Sequence, residues 1–116
     1  MKLFQTGDTL KFELDWLERL AAFHFSQFIE VKLSNIIDVS TEGPKATWRT
    51  VRAPGTGLPG VLAAGTFYTE QGREFWYVTP NSPYLNLELK DEYYKRIVID
   101  LSDNEQWVTQ IRAAIR

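Results

Sequence analysis

The chain has 116 residues, with 13 Lys plus Arg against 15 Asp plus Glu, a formal charge of −2. That length supports one domain, residues 1–116, and the mild acidity speaks against general binding to nucleic acid or to an anionic membrane. With no cysteine and a single histidine, disulfides, thiolate metal sites, cysteine nucleophiles and multi-histidine metal centres are excluded, and no cofactor is expected.

In chain order, Leu10, Phe12 and Leu14 alternate with Lys11 and Glu13, the period of a half-buried strand, after turn chemistry at Gly7-Asp8. The N-terminal stretch is therefore a strand pair or one bent strand. A short helix follows. Asp15 caps it, Glu18 reaches back three positions later, and Trp16, Leu17, Leu20 and Ala21 form an apolar stripe that must dock on something. The period of two returns at Ile29, Val31 and Leu33, breaks at Ser34-Asn35, and resumes at Ile37 and Val39. Glu42-Gly43-Pro44-Lys45 is a turn, Thr47 to Arg52 a short strand, and Ala53 to Gly60 a Pro/Gly loop. Residues 61–69 and 73–78 make a hairpin across Glu70-Gln71-Gly72. Pro80 to Pro83 is a second break. Leu85, Leu87 and Leu89 then alternate with Asn86 and Glu88, and Lys90-Asp91-Glu92 turns into Arg96 to Leu101. Ser102 and Glu105 match a capping box, and Trp107, Val108, Ile111, Ala114 and Ile115 lie on one helical face.

About seven short strands with short connections predict antiparallel neighbours, and the amphipathic closing helix is the element expected to cover the open end of the curled sheet. Trp107 is its largest side chain. The first residues run straight into polar Gln5-Thr6-Gly7-Asp8 without the apolar run of a secretion signal, and apolar runs such as Val61 to Ala64 fall far short of the roughly 18 residues of a membrane span. A cytoplasmic location is the expectation.

This order resembles that of the pleckstrin-homology-like fold, and specifically the small bacterial pleckstrin-homology-like proteins of unassigned function. The segments that carry the resemblance are Ile29-Glu30-Val31-Lys32-Leu33-Ser34-Asn35-Ile36, Arg52-Ala53-Pro54-Gly55-Thr56-Gly57-Leu58-Pro59-Gly60, Ala64-Gly65-Thr66-Phe67, Leu89-Lys90-Asp91-Glu92-Tyr93 and Arg96-Ile97-Val98-Ile99. It implies a mainly β barrel capped by one C-terminal helix, with a short extra helix near the N-terminus. It implies no catalytic residue, because fold does not settle function.

Several motifs have both a chemical and a structural reading. Gly55 to Gly60 spells G-x-G-x-x-G, but a dinucleotide site needs a helix directly after it, and residues 61–69 read as strand; the glycines are read as loop glycines. Lys45, Arg49 and Arg52 form a loose basic cluster, the candidate contact for an anionic lipid or phosphoinositide, with solvation or loop bracing as the plainer reading. His24 stands alone between two phenylalanines and reads as structural. Asp91-Glu92 and Asp103-Glu105 read as turn and cap chemistry rather than paired acids. The aromatic residues Phe67, Tyr68, Phe75, Trp76 and Tyr77 crowd one hairpin, so alternation turns at least one large ring outward. With Tyr84, Tyr93 and Tyr94 nearby, the candidate partner contacts are Trp76, Tyr68, Tyr84 and Tyr93, and the expected role is a protein-binding or self-association module, acting through this patch or an exposed strand edge, with an enzyme built on an unrecognised carboxylate site as a further alternative.

Overall fold

A computed structural model describes residues 1–22, 27–43, 51–58 and 62–115, with residues 20–22, 51–58 and 62 described by backbone course alone. The described residues form nine strands in two sheets and a closing helix, more strands than the seven expected. The sheets are not joined into a closed barrel: one has the order β1-β2-β3 and the other β4-β8-β9-β7-β6-β5.

β1 (Lys2–Thr6) and β2 (Thr9–Glu13) are a tight hairpin, with Gly7 in the left-handed region at φ +59°, which a glycine reaches without a side-chain clash. β3 (Phe28–Lys32) completes this sheet against β2, in the register Leu10↔Val31 and Phe12↔Ile29. One face carries Leu10, Phe12, Ile29 and Val31 into the core. The other carries Phe4, Lys11, Phe28 and Glu30, with a Lys11–Glu30 ion pair of 3.1 Å. α1 (Trp16–Ala22) starts with the expected reciprocal cap: the Glu18 N–H donates to Asp15 Oδ1 at 2.8 Å, and the Asp15 N–H donates to Glu18 Oε1 at 2.9 Å. The helix lies against β5 (Val51–Leu58) and β6 (Leu62–Thr69), while Trp16 and Leu17 of its stripe stay exposed.

A 3-10 turn at Leu33–Asn35 leads from β3 into β4 (Ile36–Ser40). The ladder to β8 shifts between Ile36 and Asp38, so Ile36 and Val39 are buried and Ile37 faces solvent, against the simple alternation that placed Ile37 inside. β5 (Val51–Leu58) corrects the Pro/Gly loop: residues 55–58 pair with β6 (Leu62–Thr69), and Ala53 and Pro54 lie in the strand at a shift of register. Pro54 is accommodated because β5 is an edge strand and its register shifts between Arg52 and Gly55. Two of the glycines in the G-x-G-x-x-G string, Gly55 and Gly57, are thus strand residues.

β6 and β7 (Gly72–Val78) form the expected hairpin, Thr69 facing Gly72 across the two-residue turn. β8 (Tyr84–Leu89) does not pair with β7. β9 (Arg96–Asp100) lies between them, antiparallel to β8 and parallel to β7, an exception to the expected antiparallel neighbours. Ile97, Val98 and Ile99 are all buried, and a strand buried on both faces belongs in the centre of a sheet. Residues 79–83 carry the chain over the end of β9 and are laced to it. The Thr79 N–H and hydroxyl donate to the Asp100 carboxylate, the hydroxyl at 2.7 Å, and the Leu101 N–H donates to Pro83 O at 2.9 Å.

α2 (Asn104–Ile115) lies against β4, β8 and the 3-10 turn. Asp103, not Ser102, stands at its start: Asp103 O accepts the Trp107 N–H, and Ser102 makes no cap. Asn104 is buried there, donating Nδ2 to Tyr84 O at 2.8 Å. The helix delivers Val108 and Ile111 to the core, with Trp107 half-buried beside them. One core cluster joins both sheets and α2, from Phe12 and Val31 through Leu87 and Ile97 to Ile111. No helix among the described residues is long and apolar enough to cross a membrane.

Candidate functional site

The β6–β7 hairpin places side chains on two faces, and the four aromatic candidates divide between them. On the face away from the main core, Trp76 stacks on Phe67 at 4.2 Å between ring centroids, with Val78 and Val98 completing a second apolar cluster. Trp76 sits opposite Gly65 in the ladder, where the missing side chain leaves room for an indole. Its Nε1 donates to Glu74 Oε1 at 2.9 Å, and Thr69 Oγ1 donates to Glu74 Oε2 at 3.0 Å. Trp76 is therefore a buried ring with its polar atom satisfied, not an outward contact. Tyr84 packs against the same cluster, and its hydroxyl donates to Thr79 O at 2.5 Å.

The other face of the hairpin begins in the core. Ala64 and Phe75 are fully buried. Toward the turn, four residues past Ala64 on β6 and two before Phe75 on β7, the row reaches Tyr68 and Arg73, which are direct cross-strand partners. The loop between β8 and β9 meets them there. Tyr94 is buried, 5.6 Å from Phe75 between centroids, and its hydroxyl lies 3.2 Å from Thr66 Oγ1. Tyr93 stands edge-on to Tyr94 at 4.9 Å, and the Arg73 guanidinium carbon lies 3.9 Å from the centre of the Tyr93 ring. Tyr68 and Tyr93 remain 45% and 59% exposed, the largest exposure of any tyrosines in the core or this face. The result is a surface of two open tyrosines linked by one stacked guanidinium, anchored from beneath by a core tyrosine.

The electrostatics of the anchor follow from its position. Burial raises the pKa of Tyr94 above the usual phenol value; the Thr66 hydrogen bond opposes this, Tyr93 adds to it, Arg73 lowers it and Tyr68 raises it. Tyr77, farther along the same face, is also raised, first by burial and then by the nearby acids Glu18, Asp15 and Asp100.

Sequence reasoning named Tyr68 and Tyr93 without the residue that joins them. The signal for Arg73 was present: a two-residue turn pairing Thr69 with Gly72 sets Arg73 opposite Tyr68. Glu74 was also missed, although its alternation with Trp76 offered an acceptor for the indole. Lys45 and Arg49 lie outside the described residues, and Arg52 is described only as backbone in β5, so the anion cluster gains no geometry. His24 also lies outside them. The acidic pairs act locally. Asp91 takes a left-handed turn conformation, and Glu92 Oε2 accepts the Lys32 N–H at 3.1 Å and Asn35 Nδ2 at 2.7 Å. Comparison with protein-family models, curated proteins and solved structures found no match for the chain.

Proposed function

We propose that this domain is a protein-contact module, and that its contact surface is Tyr68, Arg73 and Tyr93. The observation that carries the reading is the guanidinium of Arg73 stacked on an open tyrosine ring beside a second open tyrosine. Tyrosine and arginine are the residue types that concentrate binding energy at interfaces, because each offers a large contact area with polar atoms at its tip. The surface is also pre-ordered: Tyr93 is held by Tyr94 and Arg73, so little side-chain freedom is lost on docking. The edge of β5 is a second place where a partner strand could pair, but the aromatic surface has the named side chains. The pleckstrin-homology-like reading of the fold rests on β-sheets followed by a closing helix; the parallel β7–β9 pair is the feature it does not account for. A cytoplasmic location belongs to the same reading.

The test is affinity purification of the tagged chain from native lysate, with mass measured by light scattering. The wild type is expected to be oligomeric or to retain a stoichiometric partner. The Tyr68→Ala/Tyr93→Ala double variant is expected to lose that mass while remaining folded and unfolding cooperatively. A wild type that is monomeric and alone at high concentration overturns the reading, as does a double variant that assembles equally well.

A further inference from the structure

Among the described residues, the cations of the contact surface have no ion-pair partner. Among the described residues the ion pairs are Met1–Glu18, Lys11–Glu30 and Arg96–Glu88; none involves Arg73 or Lys95. Lys95 adjoins Arg73 directly. Its backbone N–H donates to Arg73 O at 2.7 Å, and its side chain crosses Gly72, where an added Cβ would come within 2.8 Å of Lys95 Cγ. A chain with more acids than bases thus places two neighbouring cations, unpaired among the described residues, beside two exposed tyrosines.

The stacking decides which atoms are available. The Arg73 guanidinium carbon lies 3.9 Å over the Tyr93 ring, and the group carries five N–H donors in its own plane. A stacked guanidinium is pre-oriented for a carboxylate, which it grips through two parallel hydrogen bonds. Resting on the exposed-surface reading above, we infer that the partner presents an acidic segment: an Asp or Glu carboxylate on Arg73, with Lys95 adding longer-range attraction and a neighbouring apolar side chain seated beside Tyr68 and Tyr93. Charge complementarity favours this occupant over a membrane. Sequence-readable lipid recognition takes clusters of about four to eight basic residues. Here the surface offers two cations, Arg73 and Lys95, fewer than such a cluster.

The experiment selects a random-peptide phage library on the immobilised wild-type chain and measures the enriched peptides against purified variants by fluorescence anisotropy. Enriched peptides are expected to place Asp or Glu next to an aromatic or aliphatic residue. Their affinity should fall about tenfold or more on Arg73→Gln, the loss expected for one charge-assisted fork. It should fall by less on Lys95→Gln and weaken as salt is raised. Lys95 is exposed, so Lys95→Gln gives a charge test even if Arg73→Gln perturbs folding. Peptides without acidic bias, or with unchanged affinity for both Gln variants, overturn the inference. If such peptides still depend on Tyr68 and Tyr93, the contact surface stands and only its acidic preference falls. If no enriched peptide depends on any of the four residues, both fall. Co-sedimentation with phosphatidylserine-rich vesicles that is abolished by Arg73→Gln would assign the cations to a membrane and overturn the acidic-segment proposal.

Discussion

Single side chains carry more than one duty in this protein, and their substitutions separate the duties. Glu18 is buried, closes the α1 capping box and meets the N-terminal ammonium of Met1. Glu18→Gln preserves an acceptor for the box but removes the charge, whereas Asp15→Ala removes the reciprocal oxygen. Asp15→Ala is expected to cost about 1 kcal/mol in urea unfolding. Tyr94 gives a pH signature. Its pKa is raised in the folded chain, so the unfolded chain loses the phenol proton first as pH rises. Stability from this group is complete below the unfolded phenol value of 10.0 and is lost as pH climbs through the higher folded value. Thermal unfolding followed across that range should show the midpoint falling, and Tyr94→Phe should make the fall shallower. A Tyr94→Phe variant with the same slope as wild type would refute the assignment. Much of this residue-level chemistry was readable: the Asp15/Glu18 spacing announced its own cap because both partners lie within one helical turn. The Ser102/Glu105 pattern looked equivalent but failed, because the helix begins one residue later, with Asp103 before its first residue, the buried Asn104, which binds Tyr84 O across to β8.

At the scale of elements, two features hold pieces that have no sequence neighbourhood in common. The first is the lacing of residues 79–83 over β9 by Asp100, whose carboxylate accepts from both the Thr79 N–H and its hydroxyl. Asp100→Ala leaves these donors without their partner and is expected to cost about 1–3 kcal/mol, measured by chemical unfolding. The second is α2. Ile111 is fully buried in the core that joins both sheets, so Ile111→Ala should cost about 2–5 kcal/mol, while Ala113→Ser on the solvent side should stay within about 0.5 kcal/mol. Equal effects of the two substitutions would mean that the helix does not pack as described. The helix and the β6–β7 hairpin were legible because each is a local pattern of apolar period and turn chemistry. The insertion of β9 was not, because short connections imply antiparallel pairing only when consecutive strands are also neighbours. Nor was β5, where Pro54, Gly55 and Gly57 read as loop while an edge strand with a shifted register tolerates all three.

The whole molecule adds the division of the aromatic residues into three environments. Trp76 and Phe67 close the face of the large sheet away from the main core. Phe75 and Tyr94 belong to the main core, and Tyr68 and Tyr93 lie where the cover over that core face ends. Substitutions should follow this division. Trp76→Ala, which removes a buried ring and the donor to Glu74 Oε1, is expected to cost about 3–5 kcal/mol in thermal or chemical unfolding. Tyr93→Ala, removing an exposed ring, should change stability by no more than about 1 kcal/mol, the value of an exposed cation–π contact, while affecting association. A Tyr93→Ala chain as destabilised as Trp76→Ala would make Tyr93 a packing residue and remove the basis for a contact surface.

The amino-acid sequence by itself determined a mainly β chain with a closing amphipathic helix, the turn at Gly7-Asp8, the hairpin around Glu70-Gln71 and the cap of α1, because each depends on residues within a few positions of one another. Only the tertiary structure decided that β9 lies between β7 and β8, that Trp76 is enclosed while Tyr93 is open, and that Arg73 stacks on a ring twenty residues away. The physical reason is that alternation assigns side chains to two faces of a strand, whereas burial depends on what covers each face, and that cover comes from distant parts of the chain.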